Sequence, residues 1–184
     1  MSPRLLATRI IKQLVEERVP LSSLFNNPTI IDQAGKDKAL VQEMVYGTVR
    51  WYTQLESILG QLLLKPIKQK DQDLKYLLLL GLYQLKYMRI AAHAVVSETV
   101  ETCKQLKKHS AKGLVNAVLR NYQRKAEQLD KKNNPPDITS SHPAWLVNML
   151  KQDWPTHWQN ILEANNQRPP MYIRVNQLKL GRND

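Results

Sequence analysis

This 184-residue chain has a single cysteine, six glycines scattered one at a time, and no apolar run long enough to cross a bilayer. A lone cysteine excludes a disulfide framework. With no signal-peptide pattern at the start, the sequence reads as that of a protein of the reducing cytoplasm. Isolated glycines exclude the glycine-rich turn between strand and helix that holds phosphate in nucleotide-binding sheets. The four histidines are equally dispersed, and no spacing of ligating side chains resembles a metal site. Acidic side chains are scarce too, with 16 Asp and Glu against 27 Lys and Arg, for a net charge of +11. Residues 1–134 carry 22 basic and 12 acidic side chains, so +10 of the excess lies there. A domain of that balance favours a polyanion as partner, nucleic acid before an acidic protein.

What the chain does have is helical periodicity. The stretch Asp71–Arg89, DQDLKYLLLLGLYQLKYMR, is apolar on every side. Leu74, Leu77, Leu78, Leu82, Leu85 and Met88 form one ladder, and Tyr76, Leu79, Leu80, Tyr83 and Tyr87 line the other face. Such a helix has to be wrapped by others, because it is too short and too charged to span a membrane. Gly81 costs about 1 kcal/mol against alanine inside a helix, so its expected use is the close approach of a neighbour. With 42% hydrophobic residues, the chain can bury a real core as one domain, or one domain plus a fragment.

Around that centre the spacing predicts several more helices. The first opens at Ser2 as N-cap and Pro3 as first helical residue, with a buried stripe of Leu6, Ala7, Ile10, Ile11, Leu14 and Val15; Arg4, Arg9 and Lys12 lie off it. Pro20 to Gly35 reads as a loop region with one helical turn near Leu21–Phe25. Asp37–Leu64 reads as a helix bent at Gly47 and ended by Pro66. His93–Lys108 places Val96, Val100 and Cys103 on one stripe, acids first and lysines last, as the helix dipole favours. Ala111–Leu129 buries Leu114, Val115, Val118, Leu119 and Tyr122.

Between Glu101 and Glu127 stand seven basic residues and no acidic one: Lys104, Lys107, Lys108, Lys112, Arg120, Arg124 and Lys125. A solvated helix pair normally mixes signs, so this cluster points to phosphate binding, with a solvated face as the bland alternative. Asn116, on the same edge, is either part of that surface or a buried hydrogen-bonding residue.

Three stretches carry a resemblance: MVYGTVRWYTQLESIL, then LLLLGLYQLKYMRIAAHAVVSETVETCK, then KGLVNAVLRNYQR. They resemble the NusB-type all-helical RNA-binding domain, and more narrowly the version fused to ribosomal RNA small-subunit cytosine-C5 methyltransferases of the RsmB (Sun/Fmu) family. SHPAWLVNMLKQDWPTHWQNILEANNQRPPMYIRVN is similar to the passage from that domain toward the catalytic region, and the similarity runs from Arg4 to about Asn176. The free-standing antitermination factor of the same fold is the rival. Ser97, Leu114 and Arg120, and about fifty residues beyond Asp130, depart from it.

The resemblance implies an all-α NusB-like bundle at 1–130, a linker at 131–142, and at 143–184 a short helical segment leading into the first strand of a truncated α+β domain. It implies that small-subunit ribosomal RNA is docked by this part, and that S-adenosylmethionine is used by the full-length protein and bound elsewhere than on this chain. Arg4, Arg9 and Lys12 fall on the helix that faces RNA in the family. The alternative is a non-enzymatic antitermination or ribosome-assembly factor that binds RNA with a ribosomal protein. No membrane and no metal are implied.

In the last fifty residues, DKKNNPPDITSSH is polar and holds two consecutive prolines, as a linker would. His142–Asp153 and Pro155–Asn165 read as short helices whose Trp145, Trp154 and Trp158 form a small core, with base stacking as the other reading. MYIRVNQLKL alternates as a strand. Cytosine-C5 methylation in the resembled family uses a cysteine thiolate. Cys103, on an apolar helical stripe, reads instead as a small buried thiol, so no catalytic residue is expected in this chain.

Overall fold

The computed structural model describes residues 1–130, 134–167 and 174. Eleven α-helices, and no strand, lie among them: α1 (Pro3–Glu16), α2 (Leu21–Phe25), α3 (Pro28–Ala34), α4 (Lys38–Arg50), α5 (Tyr52–Leu62), α6 (Gln72–Tyr87), α7 (Ala92–Gln105), α8 (Lys112–Asp130), α9 (Pro136–Ser140), α10 (Ala144–Asp153) and α11 (Trp158–Asn166). The all-α class expected from the sequence is what is found. The strand expected at 171–180 lies, apart from residue 174, outside the described residues.

Helix α6 is the centre. It touches α1, α4, α5, α7 and α8, and its Leu77, Leu78, Leu79, Leu80 and Leu82 are wholly buried. Apolar side chains on every face leave the helix no exposed side, so burial inside a ring of helices is its only low-energy place. Leu85, Tyr87 and Met88 are half-buried where the helix emerges from the ring. A Cβ on Gly81 would lie 3.0 Å from Leu119 Cδ2 and 3.4 Å from Thr99 Cγ2, so this glycine lets α8 and α7 close on α6 as expected.

The other expected glycine role is corrected. Within residues 37–64 stand two helices, α4 and α5, broken at Trp51 (φ −100°, ψ 18°) and not at Gly47. Gly47 lies inside α4 facing α6, and a Cβ built on it would lie 1.9 Å from Tyr83 Cζ and 2.0 Å from its hydroxyl oxygen. One turn on, Trp51 stacks on Tyr87, with ring centroids 4.7 Å apart and planes 14° apart. The Tyr83 hydroxyl donates to Glu43 Oε1 at 2.8 Å, and that of Tyr87 donates to Gln54 Oε1. The small–large and large–large pairings repeat at one helical turn on both partners, which fixes their register.

Three more expectations change. Pro28 starts α3 instead of breaking the chain, because Asn27 Oδ1 accepts the Thr29 N–H at 2.9 Å and proline suits the first helical position. Val15 and Leu114 are 39% and 42% exposed, since the buried stripes run through Leu5, Leu6, Ile10 and Ile11 on α1 and through Val115, Val118, Leu119 and Tyr122 on α8. Trp145 and Trp154 are 67% and 55% exposed and so do not form the expected small core. Trp158 is half-buried, with Lys151 Nζ 4.7 Å above its ring.

Residues 134–142 are no solvated linker. Pro135 and Pro136 launch α9, and Ser141, at a left-handed φ of 57°, closes it. The Ser141 hydroxyl accepts the N–H groups of Thr53 and Gln54 at 3.0 and 3.3 Å, while Gln54 Nε2 donates to the Thr139 carbonyl at 2.9 Å. Helix α5 has no side-chain cap of its own at Trp51, so Ser141 caps it from 88 residues away. His142 extends the tie: its Nδ1 is 2.8 Å from the Ser140 carbonyl and its Nε2 is 2.7 Å from Asn165 Nδ2. Residues 131–133 of the expected linker lie outside the described residues.

Candidate nucleic-acid interface

Ser2 caps α1 by accepting the Leu5 N–H at 3.3 Å, and its hydroxyl donates to Gln105 Oε1 at 2.6 Å. The start of α1 is thereby held against the end of α7. Arg4, one of the expected contact residues, is occupied in the same seam: its Nη1 is 3.7 Å from Glu98 Oε2, its side chain is largely buried, and burial lowers its pKa from the ordinary arginine value. It is a tie between helices rather than a projecting cation.

Beyond that seam, Arg9 and Lys12 of α1 meet Lys107, just past α7, across a groove of about 260 Å³ also lined by Thr8, Gln105, Leu106 and Asp73. Two basic groups nearly a hundred residues apart in sequence thus share one space. Lys12 also lies 3.8 Å from Glu16 one turn on. Lys107 has φ +58°, a region that favours glycine, while the Lys108 N–H reaches back to the Cys103 carbonyl at 2.8 Å. This is the usual way to end a helix with a left-handed residue, here with lysine in the place that glycine fills at least cost. Arg18 follows α1 in the same conformation, so the strain is a helix-ending habit of this chain and is not confined to the groove.

Lys108 is engaged differently. Its Nζ bonds Asp71 Oδ1 at 2.6 Å and the Lys70 carbonyl at 3.3 Å, with Asp73 Oδ1 at 3.9 Å. The hydrogen bond from Lys108 lowers the Asp71 pKa from its ordinary value, and the bond to Asp71 raises that of Lys108. The carboxylate's share of this tie is therefore lost only as pH falls through the lowered Asp71 value, and the ammonium's only as pH rises through the raised Lys108 value. It persists across the neutral range. Lys104 pairs with Glu101 along α7.

The remaining expected residues lie on α8. Lys112 is half-buried at its start. Arg120, Arg124 and Lys125 are exposed, but they stand on the order of 12–20 Å farther along the helix at its ordinary rise. They form a second basic surface and do not line the groove. Asn116 is exposed, which removes the reading of it as a buried hydrogen-bonding residue. The acid-free run between Glu101 and Glu127 is thus not acid-free in space, because Asp71 and Asp73 arrive from the start of α6. Sequence reasoning did not single out Thr8, Gln105 or Asp73 as groove residues, since only tertiary packing of α1, α6 and α7 brings them there.

Cys103 is wholly buried, and burial pushes its thiol up to about 11, against the weaker opposing pull of the Lys112 charge. A thiol so desolvated is not a nucleophile at neutral pH. In the folded chain it should resist iodoacetamide at pH 8 and become alkylated once guanidinium unfolds the protein, as mass spectrometry would record. Rapid alkylation of the native chain would show the thiol to be reachable. No cluster of three or more His, Cys, Asp or Glu able to hold a metal, and no helix long and apolar enough to cross a membrane, occurs among the described residues.

Two family models match the sequence: the NusB family over residues 1–124, and a ferredoxin-like domain described as methyltransferase RsmF/B-like over residues 142–184. Among curated proteins, the chain is 44% identical over 183 residues to a protein of Serratia proteamaculans named ribosomal RNA small subunit methyltransferase B; this covers 98% of the chain and 42% of that protein. Proteins of the same name from Proteus mirabilis and Shigella boydii are each 43% identical, over 180 and 173 residues, covering 97% and 94% of the chain. The chain therefore spans 40–42% of the length of these curated relatives.

Proposed function

The chain belongs to the NusB family, and on that premise we propose that it is the RNA-docking part of an S-adenosylmethionine-dependent methyltransferase acting on cytosine C5 of small-subunit ribosomal RNA. The observation that carries the reading is the groove in which Arg9 and Lys12 of α1 face Lys107. Cations converging on one groove hold a phosphate backbone, whose binding releases counterions and so falls with salt. Arg120, Arg124 and Lys125 add a second, separate basic surface on α8.

Chemistry belongs to another part of the protein. The described residues are helical, their glycines stand alone, and Cys103 is a desolvated thiol, so they offer neither a sheet crevice for the cofactor nor a thiolate for attack on the ring. Titration calorimetry of the 184-residue chain with S-adenosylmethionine should show no binding; micromolar binding would place the cofactor here. The match at 142–184 favours this reading over a free-standing antitermination factor. It also supports a division into a NusB-like part at 1–130, a connection at 131–142 and the start of a second domain at 143–184, with α9 and Ser141 seating the second on the first. A cytoplasmic setting fits a ribosomal RNA substrate.

The docking reading is tested by reversing charge in the groove. Arg9→Glu with Lys107→Glu should weaken binding of single-stranded ribosomal RNA and make the slope of log affinity against log salt shallower by about 1.4, roughly 0.7 for each phosphate that is no longer neutralised. An unchanged slope would move the site elsewhere. Lys107→Gly sharpens the test, because it relieves a left-handed lysine: thermal unfolding should show a gain of about 1 kcal/mol while RNA affinity falls.

A further inference from the structure

Arg9 and Lys12 line a second groove as well, of about 470 Å³, on the other side of α1. Its far wall is α2, α3 and the turn between them, which present Asn27, Thr29, Ile30 and Gln33, while α1 contributes Gln13 and, at the end, Glu17. The floor is Leu6, Ile10 and Leu24, each already buried against the core. An amphipathic helix would gain little there, since almost no apolar area is left to cover. The groove offers instead amide edges: Gln13 and Gln33 each bring a donor and an acceptor. Asn27, whose carbonyl oxygen is used by the Thr29 N–H at 2.9 Å, keeps its amino group for another acceptor. A flat ligand with alternating donors and acceptors on its rim, joined to a phosphate, matches this arrangement.

We propose that this second groove is a base-reading subsite: with the Arg9–Lys12 ridge holding the phosphate, an unpaired nucleobase of single-stranded RNA enters between α1 and α3 and is hydrogen-bonded by the Gln13 and Gln33 amides. The inference rests on the docking reading above, because it shares the ridge. It divides the labour between the two sides of α1, with backbone charge gripped by the Lys107 groove and base identity sensed by the amide groove.

The experiment compares two ligands of equal length and charge, a labelled single-stranded oligoribonucleotide and its fully abasic backbone, binding the 184-residue chain by fluorescence anisotropy. The parent should prefer the intact strand by about fivefold or more, the discrimination expected of one good amide–base pairing. Gln13→Ala with Gln33→Ala should bring that ratio toward one while affinity for the abasic strand and the salt slope stay as in the parent. The single Gln33→Ala variant, at an exposed position, should give a partial loss and guards against a folding defect. A parent ratio near one, or a ratio unchanged in the double variant, overturns the base subsite. If Arg9→Glu with Lys12→Glu leaves the salt slope untouched, it is the docking reading that falls; an intact slope effect with no base preference sinks the subsite alone.

Discussion

Gly47→Ala should destabilise the protein by about 3 kcal/mol or more, at the upper end of what overpacking a core costs. The methyl would overlap the phenolic end of Tyr83, 1.9 Å from Cζ and 2.0 Å from the hydroxyl oxygen, and that side chain cannot swing away cheaply, because it is buried and its hydroxyl donates to Glu43 at 2.8 Å. The measurement is urea unfolding of the variant beside Gly47→Ala/Tyr83→Leu. The pair should be clearly non-additive, the second change recovering part of the first loss, since touching residues couple. A Gly47→Ala midpoint equal to the parent's would mean that α4 and α6 are not closed as described. Gly60 is the control: it also lies within a helix, α5, but nothing stands within 4 Å of an added Cβ, so Gly60→Ala should gain about 0.5–1 kcal/mol.

Leu82→Ala should cost about 2–5 kcal/mol, the transfer of the lost side chain plus the cavity left in a ring of helices that cannot collapse from one side. Leu82 has no exposed surface and sits on the helix that touches five others. Denaturant unfolding with an unchanged slope and a much lower midpoint is the expected record. An unchanged midpoint would place Leu82 outside the core.

The core of this protein is legible in its sequence because the strongest signal is local. A helix apolar on all sides, such as α6, has one possible environment, and Gly81 within it has one evident use. Where sequence and structure part, the cause is a partner distant along the chain. Gly47 reads as a hinge because nothing near it announces the tyrosine 36 positions on that fills its space. Pro135 and Pro136 read as a spacer because the N–H groups that hold Ser141 belong to α5. Pro28 is the opposite case: its helix-start signal, Asn27, is adjacent, but asparagine before proline reads equally well as a turn.

The candidate interface divides the same way. Basic residues can be counted in one dimension, which finds Arg9, Lys12 and Lys107. Counting does not show that Lys108 is claimed by Asp71, that Arg4 is claimed by Glu98, or that α8 carries Arg120 away from the groove.

Helix α6 also bears on the order of events at the ribosome. Its neighbours come from both sides of it along the chain, α1, α4 and α5 before and α7 and α8 after. During synthesis α1 emerges long before Leu119 and Tyr122 of α8 can close the other side. At translation rates of about 5–20 residues per second, the apolar face of α1 waits for roughly 5–20 s before its ring is complete. A nascent chain stalled short of α8 should therefore remain protease-sensitive and chaperone-bound, and one stalled after α8 has cleared the exit tunnel should not.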